Sequence, residues 1–312
     1  MLARERSIRP ALVLLSVLTV LCALASAPVQ AAGNEVELLS GVGYTSKEAN
    51  GPSLLLGAEL TAYERQGSLF TGINEARVGL HASDEIAVDG SPGTLTLGLE
   101  GEWIRTQGPT SLIFFGKVLT RHRGDEAART LSLGGGGAAG RVSGQVRVDY
   151  VESSLSTFPW FQRDLDVVVA EEPFYRISAG VSAAVLPDYG LKWSQDLRWR
   201  RGVDSSVSRL GLTTGPEMLL GPGNLAVQGG LLFAPQGIKP LAQVRYLIRP
   251  NVAGFEFELT AATHSLDKDG PVLYGWFGVD GEDLGIGAAL RLEEGSQGGV
   301  APAVYFSLHP KF

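Results

Sequence analysis

Along most of this chain apolar and polar residues alternate one by one. In Val142–Tyr150, Val142, Gly144, Val146, Val148 and Tyr150 take one parity and Ser143, Gln145, Arg147 and Asp149 the other. In Tyr189–Arg200, Tyr189, Leu191, Trp193, Leu197 and Trp199 oppose Lys192, Ser194, Asp196, Arg198 and Arg200, and Leu97, Leu99 and Trp103 oppose Glu100 and Glu102. A period of two with one greasy and one charged face predicts β-strands. The pattern divides into segments 35–45, 53–63, 68–80, 93–104, 111–121, 128–139, 141–151, 174–186, 189–200, 205–213, 223–233, 239–248, 252–263, 271–279, 284–294 and 302–312. That is about sixteen strands, and fourteen to eighteen fit if weak segments merge or split.

A soluble β-sandwich also alternates, hiding its apolar face in a core. Three features favour a membrane barrel. The N-terminus carries Arg4, Arg6 and Arg9, then the apolar run Ala11–Ala25 and small residues up to Ala31, which is the form of a secretory signal peptide. An N-terminal anchor is the alternative, but the run is short for a span. A lipoprotein reading of Cys22 suffers from the bulky Leu21 before it. Glycine is abundant (41 residues) and falls inside the strands. Trp103, Tyr150, Trp199, Tyr246 and Phe312 sit near strand ends, where an interfacial aromatic girdle belongs. Residues 1–31 are therefore expected to be a signal peptide and 32–312 a transmembrane antiparallel up-and-down β-barrel, whose closure pairs every backbone group as lipid demands.

Connections also alternate. "ERQG", "TQGPT", "LPD", "RPN" and "DGED" are short, whereas "SKEANGP", "ASDEIAVDGSPG", "HRGDEAA", "HSLDKDGP" and "EGSQGGVA" are longer. Short periplasmic turns and longer external loops follow, with "TTGPEMLLGPGN" an exception. The longest connection, Glu152–Pro173, contains Phe158, Trp160, Phe161 and Val167–Val169, and is expected to fold over or into the external mouth.

The chain ends "AVYFSLHPKF", with Val304, Phe306, Leu308 and Phe312 in step. This resembles the C-terminal signature of Gram-negative outer-membrane β-barrel proteins of the porin-like kind, departing from it at Pro310. The resemblance implies location in the outer-membrane bilayer and recognition of Val304, Phe306, Leu308 and Phe312 by the barrel-assembly machinery.

The formal charge is −7, and it becomes more negative once the basic leader is removed. No basic run with interleaved aromatics argues for nucleic acid. No metal, cofactor or enzyme site is predicted.

Barrels of this size leave a watery interior. The polar parity then lines a pore: Lys117, Arg121, Arg147, Arg176, Lys192, Arg198 and Arg200 form a basic arc, and Glu59, Glu75, Glu100, Glu102, Glu256 and Glu258, with Arg245, line the flanking walls. The expected function is a porin-like channel for passive diffusion of small hydrophilic solutes or ions, wide, weakly selective and anion-preferring at its narrowest part. The alternatives are a structural or exit-pore barrel of an envelope complex, with partner proteins or further copies of itself, and a membrane-embedded lipid hydrolase. The envelope reading leans on the glycine-rich segments 128–139 and 284–294, which leave room for a partner. The hydrolase reading rests on His81 and Ser83, two apart, although Ser83 reads as the start of a loop; His122, His264 and His309 stand alone near strand ends.

Overall fold

The computed structural model describes residues 33–45, 53–68, 72–88, 93–152, 173–205, 207–249, 255–264, 270–280, 284–294 and 300–310. The expected signal peptide, Phe312 and most of the long connection, residues 153–172, lie outside them.

Sixteen strands follow one another: β1 (Gly33–Thr45), β2 (Ser53–Ser68), β3 (Gly72–Ala87), β4 (Thr94–Gln107), β5 (Thr110–Arg123), β6 (Glu126–Ala139), β7 (Val142–Val151) and β8 (Phe174–Leu186) make the first half. The second half is β9 (Leu191–Gly202), β10 (Ser208–Leu220), β11 (Gly223–Ala234), β12 (Gly237–Ile248), β13 (Glu256–Ala262), β14 (Val272–Asp280), β15 (Leu284–Glu294) and β16 (Val300–Pro310). Each pairs antiparallel with its neighbours, and β16 returns to β1 with Val42 opposite Phe306, closing the sheet. This is the all-β up-and-down transmembrane barrel that the alternation predicts. Closure matters because a free edge in hydrocarbon leaves backbone donors unsatisfied at several kcal/mol each.

The two faces have the expected chemistry. Val78, Leu80, Leu97, Leu99, Leu112, Phe114, Leu131, Leu133, Val146, Val148, Val181, Val244 and Ile286 are exposed on the outside. Water would not tolerate so continuous an apolar belt on a soluble protein, whereas lipid solvates it. On the final strand Phe306 and Leu308 belong to the same belt, with Val304 half-buried.

Aromatic rings gather towards both ends of the strands. At the end where the termini lie, Trp103 stacks on Phe114 with centroids 5.7 Å apart, and Tyr246 meets Phe257 at 6.2 Å while its hydroxyl donates to the Leu220 carbonyl at 2.9 Å. At the opposite end Tyr150 packs on Tyr175 at 5.1 Å, and the Trp199 indole N–H donates to Ser208 Oγ at 2.9 Å. A ring with its polar tip satisfied by protein or headgroup suits this depth.

Several strand ends differ from the sequence reading. β2 and β3 run through "ERQG" and through Ser83–Ala87, and β10 runs through "TTGPEMLL" to Leu220, so that exception to the short turns vanishes. Pro216 is accommodated there because the β10–β11 register passes from Thr214↔Gly229 to Glu217↔Ala226, freeing the proline from a ladder bond on that side. "HRGDEAA" is not a long loop. β5 and β6 continue to a tight turn at Gly124–Asp125, where Gly124 has φ 60°, a conformation that costs other residues strain.

The glycines of β6 are occupied by the barrel itself. A Cβ on Gly134 would enter the Phe115 ring edge, one on Gly136 would lie 2.6 Å from the Gly144 carbonyl oxygen, and one on Gly137 would lie 2.6 Å from that of Ser111. Their small size lets β5 and β7 approach closely.

Candidate functional site: the inward charged wall

The inward positions are fixed by parity opposite the exposed apolar series. β2 presents Glu59, β3 Glu75, β4 Glu100 and Glu102, β5 Lys117 and Arg121, β7 Arg147, β8 Arg176, and β9 Lys192, Arg198 and Arg200. β12 presents Arg245, and β13 presents Glu256 and Glu258.

Register decides which of these charges meet. Glu100 is opposite Lys117, and their side chains pair at 2.9 Å. Asp149 is opposite Arg176 and two residues from Arg147, and it binds both: Arg147 Nε donates to Oδ1 at 2.7 Å and Arg176 Nε to Oδ2 at 2.9 Å. Arg147 Nη2 also donates to Ser132 Oγ at 3.3 Å. Arg245 pairs with Glu258 at 3.0 Å, and Glu75 with Arg65 at 3.1 Å. The Arg200 guanidinium lies 4.1 Å over the Phe174 ring. Glu256 Oε2 accepts the Trp276 indole N–H at 3.2 Å, and Glu102 shares a rung with Arg77.

The arc is also unevenly presented to solvent. Lys117 and Arg147 keep about a third of their side-chain surface, 34% and 39%, whereas Arg121 and Arg176 are buried. They belong to a packed inward patch in the halves of β3–β8 remote from the termini, with Ser83, Thr94, Thr96, Leu119, Ser132 and Phe174. Arg121 Nη1 donates to Thr130 Oγ1 at 3.0 Å. A buried guanidinium is held by such bonds and by carboxylates because removing it from water is expensive. The accessible positive charge therefore lies at Lys117, Arg147 and the β9 residues rather than evenly along the arc.

Two features escape sequence reasoning. Gln228 donates to Ser194 Oγ at 2.9 Å and to Asp196 Oδ2, joining β11 to β9 across β10. Tyr274 and Trp276 point inward and are buried. In β14 both parities are apolar, with Phe277 and Val279 on the outside, so alternation says nothing about which aromatics face in.

His81 and Ser83 share the inward face of β3, and Ser83 stands within the strand, not at the start of a loop. His122 lies on β5 and His264 just past β13, where its Nδ1 accepts the Gly270 N–H at 3.0 Å.

No protein-family profile matches the sequence, and no curated protein matches it. Among solved structures, a bacterial polysaccharide outer membrane secretin aligns over 89% of this chain and 98% of its own at 13% identity and a TM-score of 0.49. Pseudomonas aeruginosa OccK3 (OpdO) aligns over 89% and 95% at 9% identity, TM-score 0.46. CdiB from Acinetobacter baumannii aligns over 89% of this chain at 10% identity, TM-score 0.44, and this chain spans only 60% of that one.

Proposed function

We propose that the chain is a porin-like outer-membrane channel for passive diffusion of small hydrophilic solutes or ions, delivered by a cleaved signal peptide and inserted by the barrel-assembly machinery. The observation that carries the reading is the closed ring of sixteen strands with a lipid-compatible exterior and an inward wall of charges. Sixteen-strand barrels have a circumference wide enough for a watery interior. The transport element is the accessible part of the basic arc, Lys117, Arg147, Lys192, Arg198 and Arg200, facing acidic residues on β2–β4 and β13. Such opposed charges in a low-dielectric tube focus a transverse field and bias ion permeation.

The test is reconstitution. Purified, heat-modifiable barrel in a planar bilayer is expected to give discrete conductance steps, and in liposomes to admit small neutral sugars by swelling. Inserted protein that conducts nothing and admits nothing overturns the channel.

A further inference from the structure

We infer that Glu59, His81 and Ser83 form an inward-facing acyl-transfer centre, with Ser83 as nucleophile, taking a small carboxylic ester that enters from the lumen. This goes beyond the channel reading and does not depend on conductance.

The ladder brings the residues together. β2 and β3 pair Glu59 with His81 and Gly57 with Ser83, and a strand step of two keeps all four positions on one face. His81 Nε2 is 3.0 Å from Ser83 Oγ, and the other ring nitrogen, Nδ1, is 3.6 Å from Glu59 Oε2. The imidazole thus stands between a hydroxyl and a carboxylate. A carboxylate at Nδ1 favours the proton on that nitrogen, which leaves Nε2 as the acceptor and makes Ser83 the donor. This is the order a base–nucleophile pair requires, the third group holding the base in orientation.

The surroundings suit reaction better than mere solvation. Ser83 is 3% exposed, so its hydroxyl is held by His81 and not by bulk water, and an ester reaches it only when neighbouring inward side chains move aside. The position beside it must be glycine, since a Cβ on Gly57 would lie 2.5 Å from Ser83 Cβ and 2.7 Å from the Ala82 carbonyl oxygen. Lys117 acts electrostatically on both Glu59 and His81, while its ammonium is paired with Glu100 at 2.9 Å. Arg121 occupies the rung of Ser83 two strands away, through Thr96; its Nη1 is held by Thr130 on β6, and its buried Nε has no hydrogen-bond partner among the described residues.

The chemistry balances with water alone. Ser83 Oγ bonds to the ester carbonyl carbon while its proton passes to His81 Nε2 and the carbonyl electron pair moves to oxygen. Collapse breaks the carbon–alkoxide bond, and the leaving alcohol takes the proton from His81. Water then attacks the acyl-serine with His81 again accepting a proton; collapse breaks the acyl carbon–Oγ bond, His81 returns the proton to Ser83 Oγ, and the carboxylic acid departs. Glu59 is a positioning residue that acts through the imidazole.

The experiment uses the full barrel in detergent and in liposomes, with diisopropyl fluorophosphate as covalent probe and p-nitrophenyl acetate as ester. Expected are one phosphoryl adduct, mapped to the peptide containing Ser83, and ester turnover lost in Ser83→Ala. Labelling is expected to slow about 100-fold or more in His81→Asn, and less in Glu59→Gln, with Glu59→Asp recovering part of the rate. Each variant is checked for heat-modifiability. Wild-type barrel that is folded yet takes no adduct at Ser83 overturns the inference without any variant, and so does labelling indifferent to His81→Asn. Either result leaves the channel reading standing, because conductance is measured separately.

Discussion

Asp149 is shared by two arginines: its Oδ2 accepts from Arg176 at 2.9 Å and its Oδ1 from Arg147 at 2.7 Å, with Asp149 fully buried and Arg176 2% exposed. Removing this anion leaves two cations facing each other, one of them out of reach of water. Breaking a buried pair from one side costs about 3–5 kcal/mol. Asp149→Asn is therefore expected to lower the urea midpoint of the lipid-inserted barrel substantially, and Arg176→Met in the same chain to restore part of it. An unchanged midpoint for the single variant would remove Asp149 from the stabilising network.

Gly134 tests the packing of β6. A methyl group there meets both the Phe115 ring and the Val146 carbonyl oxygen, so Gly134→Ala overpacks the inward wall. The expected loss is about 1–3 kcal/mol, read as a lower unfolding midpoint. Phe115→Leu in the same chain should recover only part, since the backbone oxygen cannot move away as a side chain does.

These two sites mark what the sequence makes legible. Strand number and parity are readable because two solvents, lipid outside and water or polar protein inside, impose a period of two on every segment. Ends are less readable, as with Ser83–Ala87, because beyond the apolar belt both faces turn polar and the period fades. Pro216 and Gly215 disguise the last part of β10 as a turn, and only the observed register shows how the proline fits. Pairing is not readable at all. That Asp149 meets Arg176, or that Gly57 sits beside Ser83, follows from inter-strand register, which turn lengths set and no single strand encodes.

The aromatic arrangement predicts depth-dependent fluorescence. Trp103 and Trp199 lie near opposite ends of their strands, whereas Trp276 points inward and is 4% exposed. Single-tryptophan variants in bilayers of brominated lipid should show quenching of Trp103 and Trp199, strongest with bromines near the headgroups, and little quenching of Trp276. Strong quenching of Trp276 would mean that the assigned inward face meets lipid.

Charge selectivity gives the last prediction. Pairing neutralises part of the basic arc: Lys117 is offset by Glu100, and Arg147 and Arg176 share Asp149. Arg198 and Arg200 on β9 and Lys192 on the same strand still outnumber Asp196, the one acid on that strand's inward face. Anions are therefore expected to be favoured despite the chain's acidic total, because permeating ions sense the charges lining their path within a Debye length, about 8 Å at physiological salt, and not the sum over the protein. The reversal potential under a KCl gradient reads this directly. Wild type should be anion-preferring, and Arg147→Glu with Arg198→Glu should shift the reversal potential towards cation preference. Cation preference in the wild type, or a double variant with an unmoved reversal potential, would show that the arc does not govern permeation.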